Sequence, residues 1–93
     1  MADVVEKRVT VNGKQGLHGR PAAELVRIAG TFKSRLTVGR PGDAPADCGS
    51  ILALLVLGAV CGTELVVTAS GCDAECAAAA VASFIENGFG GEA

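Results

Sequence analysis

The sequence predicts an α/β sandwich, with helices covering one face of a small sheet, on three observations. Strand-like stretches (DVVEKRVTV at 3–11, RLTVG at 35–39, TELVVTAS at 63–70) are separated by segments of helical periodicity, in the order β-α-β-(β)-α-β-α. Apolar residues make up 49% of the chain and aromatics only 3%, so the core must be built from Val, Leu, Ile and Ala. The 93 residues fit one domain with one core.

In the first stretch Val5, Val9 and Val11 lie on one side and Glu6, Arg8 and Thr10 on the other, the alternation of a half-buried strand. Residues 12–16, NGKQG, read as a turn by their Asn-Gly and second glycine. A helix is expected from near Pro21, where a missing N–H costs nothing, with Ala22, Leu25, Val26 and Ala29 inward and Gly30 as its stop. After the short strand at 35–39, residues 40–50 (RPGDAPADCGS) read mostly as loop. A weak edge strand at 44–47 is demoted by Pro45, which cannot donate to a ladder. Ser50 stands where an N-cap belongs, ahead of ILALLVL, and Gly58 ends that short helix. Residues 63–70 form the clearest strand and the expected centre of the sheet. Asp73 is then expected to cap a last helix through about Asn87, with Glu75 in its first turn, followed by a loose tail, GFGGEA.

Eight basic and ten acidic residues leave a formal net charge of −2, which argues against nucleic acid or an anionic membrane as the main partner. The opening MADVVEKRVTV alternates and carries charges, so no secretory signal is expected there. The most apolar stretch, residues 51–60, falls short of the roughly 20 residues that span a bilayer. The expectation is a cytoplasmic protein with no membrane insertion. Cys48, Cys61, Cys72 and Cys76 include no C-x2-C pair, and the single histidine lies far from them in sequence, so no metal site is expected. They read as small hydrophobes, with Cys48, which lies in a polar loop, the least clearly buried of the four.

That histidine, His18, lies in QGLHGRPAAEL, at or one residue before the expected N-cap of the first helix. The first N–H groups of a helix have no intrahelical partner and carry partial positive charge, which makes an anion site. Gly19 leaves those amides uncovered. Arg20 adds a permanent charge whose fork of donors suits phosphate oxygens. Nothing acidic lies between Asn12 and Ala23 to repel them. Imidazole, with an unperturbed pKa of about 6.5, is largely neutral at cellular pH and nucleophilic. The chain has no P-loop pattern, no magnesium carboxylate pair and no second histidine. Parts that can hold a phosphoryl group without parts that make one describe a carrier.

GLHGRPAAELVRIA, followed by GSILALLVLGAVCGTELVVTASGCDAE, resembles the histidine-containing phosphocarrier (HPr) family of the bacterial phosphoenolpyruvate:sugar phosphotransferase system over essentially the whole chain, 1–93, read as a single HPr-like domain. The resemblance implies an α+β open-faced β-sandwich: a four-stranded antiparallel sheet with three helices on one face, order βαββαβα, which requires the weak strand at 44–47 to exist. It implies that His18 is phosphorylated on Nδ1, that Arg20 assists transfer, and that the amides of Gly19 and Arg20 hold the phosphate. Enzyme I would supply the phosphoryl group and the A domain of a sugar-specific enzyme II would receive it, without cofactor or metal. Ser50 matches a regulatory serine modified by a dedicated kinase/phosphatase, and a transcriptional regulator is a further implied partner. Ile51, Leu52 and Leu55 are implied as docking residues, with Leu17, Ala22 and Ala23 as the opposite rim. A shuttle exposing one face to successive partners is expected to be a monomer with no turnover of its own. A nitrogen-branch or regulatory paralogue shares the histidine motif and stays open, as does a non-catalytic regulatory α/β domain, which the element order also allows.

Overall fold

A computed structural model describes residues 3–12, 17 and 19–91 of the chain. The elements run β1 (Asp3–Thr10), α1 (Gly19–Ala29), β2 (Arg35–Gly39), β3 (Ala46–Asp47), α2 (Ile51–Leu57), β4 (Glu64–Gly71), α3 (Ala74–Glu86) and a single turn, α4 (Gly88–Gly91). The four strands form one antiparallel sheet in the order β1-β4-β2-β3. β4 lies between β1 and β2, in the central position its clean alternation predicts. The weak strand exists at its minimum length: Thr37 pairs with Asp47 and Val38 with Ala46, and Pro45 falls just outside the ladder on the edge, where a missing N–H is tolerated.

The period-2 pattern decides which face is covered. Val9, Leu36, Val38, Leu65, Val67 and Ala69 are buried, while Glu6, Arg8 and Glu64 remain exposed on the open face. Against the buried face pack Ala22 and Leu25 of α1, Leu54 of α2, and Ala77, Ala78, Val81 and Ile85 of α3. Alanines on α3 let that helix approach the sheet closely, which compensates for the shortage of aromatics.

α1 begins at Gly19, two residues before Pro21. None of the first-turn N–H groups has an acceptor four residues back, so proline is accommodated at the third helical position as readily as at the first. Asp73 occupies the N-cap of α3, yet its side chain makes no capping bond. Its carboxylate instead accepts from the Lys33 and Ser34 amides, both at 2.8 Å, and from the Ser34 hydroxyl. This latch ties the loop between α1 and β2 to the start of α3. Ser34 comes so near that a Cβ on Gly71 would lie 2.8 Å from its Cα, and Gly71 itself has φ 150°, so only glycine fits there.

The tail is not loose as far as Gly91. Gly88 takes a left-handed conformation (φ 71°) that ends α3, and Phe89 folds back to meet Phe84 edge-on with ring centroids 5.7 Å apart. The cysteine expectation is reversed. Cys48 is fully buried, because its N–H bonds to Leu36 O at 2.9 Å and carries the β3 extension under the sheet. Burial, with the Asp47 charge second, pushes its thiol up to about 12. Cys61, Cys72 and Cys76 are exposed, since two lie in turns and the third on the solvent side of α3.

The Ser34 hydrogen bond, with those of the Lys33 and Ser34 amides, holds the Asp73 pKa below its ordinary value. A depressed folded-state pKa stabilises the fold above the unfolded carboxyl's range, about 3.9, and that stabilisation disappears as pH falls through the folded value. Asp73→Ala is therefore expected to lower the urea midpoint at neutral pH. Its deficit relative to wild type should shrink on acidification below the usual aspartate range. A constant deficit across that range would show that the carboxylate charge does not act in the latch.

Candidate functional site

Three short pieces of backbone meet at the start of α1. Leu17 is buried, and its N–H donates to Ala59 O at 2.7 Å, which ties the segment before α1 to the segment after α2. Gly19 and Arg20 open the helix, and Pro21, Ala22 and Leu25 bury its inner side. His18 itself lies outside the described residues, although the residues on either side of it in sequence are described.

The first turn of α1 contains no acidic residue, so nothing within it offsets the partial positive charge of the helix end. A Cβ placed on Gly19 would meet nothing within 4 Å, which leaves the backbone there open to an incoming group. Arg20 is exposed, and among the described residues it enters no salt bridge. Arg27, later on the same helix, is by contrast paired with Glu24. Among the described residues the arrangement offers helix-start amides and a guanidinium without an ion-pair partner, the chemistry that binds a phosphate-like anion.

Ser50 is the N-cap of α2, with extended backbone (φ −117°, ψ 108°). Its hydroxyl accepts from the Ala53 N–H at 3.2 Å and its carbonyl from the Leu54 N–H at 3.1 Å. Upstream, the Asp47 carboxylate accepts from the Gly49 N–H at 2.8 Å, and the Asp47 carbonyl accepts from the Ser50 N–H at 3.0 Å, fixing the turn that presents the cap. At the other end Gly58, left-handed at φ 52°, bonds back to Leu54 O. Arg40 donates to Leu57 O at 3.0 Å, placing a cation at the negative end of the helix.

α2 attaches to the core through Leu54, its one fully buried residue. Ile51, Leu52 and Leu55 are 43%, 69% and 41% exposed, and Val56 and Val60 extend the same apolar surface at 79% and 61%. Sequence reasoning missed these two valines. For Val56 the signal was available: a seven-residue helix that buries Leu54 must turn its other apolar positions outward, and 52 and 56 recur at helical spacing, whereas Val60 lies beyond the Gly58 cap, where helical spacing no longer applies. Two of the expected rim residues belong elsewhere. Leu17 (4% exposed) and Ala22 (0%) are core, so their side chains have no surface to offer a partner, and Ala23 alone of that group is exposed.

A sequence model for the phosphotransferase-system HPr component phosphorylation site matches residues 5–87. The phosphocarrier protein NPr of Proteus mirabilis is 34% identical over 83 residues, 89% of this chain and 92% of that protein. The phosphocarrier protein HPr of Streptomyces coelicolor is 35% identical over 86 residues, 92% of each chain. Among solved structures, HPr-C-His from Thermoanaerobacter tengcongensis superposes with a TM-score of 0.86 at 34% identity, covering 96% of this chain and 99% of that one.

Ser50→Ala removes the cap hydroxyl and leaves the Ala53 N–H without its partner. It is expected to cost about 1 kcal/mol of stability, read as a lower urea midpoint with unchanged slope. No loss would mean that water satisfies the amide equally well.

Proposed function

The chain belongs to the HPr family of phosphotransferase-system phosphocarriers, and on that premise we propose that His18 takes its phosphoryl group from enzyme I and delivers it to the A domain of a sugar-specific enzyme II. Enzyme I is charged by phosphoenolpyruvate. The Nδ1 lone pair of His18 attacks phosphorus while the bond from phosphorus to the donor's histidine nitrogen breaks, and the departing imidazole takes up a proton. Delivery repeats the exchange toward the acceptor's histidine. Neither step calls for a metal or cofactor on this chain, since positioning and charge stabilisation carry the transfer.

The observation that supports this reading most directly is the open, acid-free first turn of α1, with Gly19 unobstructed and Arg20 exposed and unpaired among the described residues. In the proposed mechanism the Gly19 and Arg20 amides and the Arg20 guanidinium hold the oxygens of the transferring group. Ile51, Leu52 and Leu55 dock both partners, Val56 and Val60 widen that contact, and Ala23 forms the facing rim. All of these act in a monomer of one HPr-like domain, residues 1–93, in the cytoplasm.

Regulation is assigned to Ser50, through a kinase/phosphatase and a transcriptional regulator that reads the modified form. A phosphate there would displace the hydroxyl from Ala53 while adding negative charge to a helix start, so the helix is expected to survive. Inhibition would come from charge beside Ile51 and Leu52 on the docking surface. A second reading, a nitrogen-branch carrier, rests on the Proteus mirabilis NPr, whose 34% identity stands level with the 35% of the Streptomyces coelicolor HPr.

Incubation with phosphoenolpyruvate, magnesium and enzyme I, followed by intact-mass measurement, tests the assignment. Wild type is expected to gain one acid-labile phosphoryl group and His18→Ala none; a phosphoryl group on the variant would overturn it. Running sugar-branch and nitrogen-branch enzyme I side by side separates the two readings by which charges the protein faster. Arg20→Ala is expected to slow charging on the order of 10²-fold, the scale for losing one preorganised donor. An unchanged rate would assign the phosphate contacts to the backbone.

A further inference from the structure

At the end of the sheet opposite the start of α1, β4 leads into α3 through a turn that carries two exposed thiols. Asp3 pairs with Gly71 at this end, whereas Thr10 pairs with Glu64 at the other. With a rise of about 3.3 Å per residue, the eight-residue strand separates the two ends by on the order of 20 Å. Cys72 lies in the turn and Cys76 in the first turn of α3, four residues on, and both line one surface pocket of about 350 Å³ together with Asp3, Val5, Asp73 and Glu75. The other two cysteines are placed differently. Cys48 is buried and its thiol is pushed up to about 12, and Cys61 lines a separate pocket beside Asn12 and Glu64.

We propose that Cys72 and Cys76 are a reversible dithiol–disulfide site that reacts with low-molecular-weight disulfides such as oxidised glutathione. One protein thiolate attacks a sulfur of the small disulfide, forms a mixed disulfide and expels one thiol. The second protein thiolate then attacks the protein sulfur of that mixed disulfide and expels the other thiol. The protein thiols lose two protons and two electrons, and the small disulfide takes up both as two free thiols.

Geometry makes the closure feasible and the bond labile. Cys72 lies just before the N-cap of α3 and Cys76 in its first turn, both on the wall of the same pocket, and a disulfide requires Cβ atoms about 3.5–4.5 Å apart. Cys76 is held within the helix, where the Ala77 N–H bonds to Asp73 O at 2.9 Å, whereas Cys72 precedes the first helical residue, so its backbone can supply the movement. Asp73 lies between them and holds the Lys33 and Ser34 amides, so closing the bridge pulls on that latch. A bridge formed at that cost is an exchangeable one that a thiol pool reopens.

The test is exposure of the reduced full-length chain to oxidised glutathione under native conditions, followed by intact-mass measurement and peptide mapping. Wild type is expected to lose two hydrogens, with the bridge mapped to Cys72–Cys76 and reversed by reduced glutathione. Cys72→Ser and Cys76→Ser should each instead retain one glutathione on the remaining thiol of the pair. Wild type carrying glutathione that persists on either thiol would overturn the proposal, as would no modification at the pair or a bridge mapped to Cys61. Because the decisive reading is on wild type and needs no phosphotransfer partner, its failure is distinguishable from failure of the carrier assignment.

Discussion

The hydrogen bond from Leu17 N–H to Ala59 O, at 2.7 Å, is the constraint on which the candidate site depends. It joins the residue before His18 in sequence to the residue that follows the α2 cap, and so sets the start of α1 beside α2. Both partners are buried, at 4% and 0% exposure, so the bond forms where water competes poorly. The turn that carries Ala59 is itself held: Val11 N–H bonds to Thr63 O, and Gly62 N–H bonds back to Val11 O, both at 2.9 Å. The open start of α1 and the exposed apolar surface of α2 are thereby brought together.

The two anchored ends of the sheet have different tasks. At the α1 end, buried aliphatic residues carry the load, and the surface above them is apolar along α2 and cationic at Arg20. At the far end a polar latch does the holding, through Asp73, Ser34 and the bare backbone of Gly71. Hydrogen bonds to a carboxylate are directional and depend on its charge. The far end is therefore the part of the fold most sensitive to acidification, and the α1 end is the part most sensitive to loss of aliphatic volume.

Alternation and capping signals made most of the fold legible. Val5, Val9 and Val11 announced a half-buried strand, Ser50 and Gly58 bracketed α2, and residues 63–70 read as the centre of the sheet. Their information is local, which is why it survives in a single sequence. What was illegible depends on contacts between distant segments. Asp73 looks like a cap because its position is right, and only the arrival of Ser34, 39 residues earlier, diverts its side chain. Cys48 looks the least clearly buried of the cysteines because its neighbours are polar, and its burial follows from pairing of a two-residue strand. Phe89 looks like part of a loose tail until Phe84 is found beneath it. The motif around His18 is local and can be read in the sequence. The division of its apolar neighbours into core (Leu17, Ala22) and surface (Ala23, Leu52, Val56) required the packing of α2 through Leu54.

The central claim is that the amides at the start of α1 receive the phosphoryl group. It is tested most directly by ¹H–¹⁵N NMR of the ¹⁵N-labelled protein before and after charging by enzyme I. The account predicts large downfield shifts of the Gly19 and Arg20 amide protons, smaller ones near Ala59 and Val60, and an unchanged sheet. A fully phosphorylated sample in which the Gly19 and Arg20 amides keep their positions would contradict it.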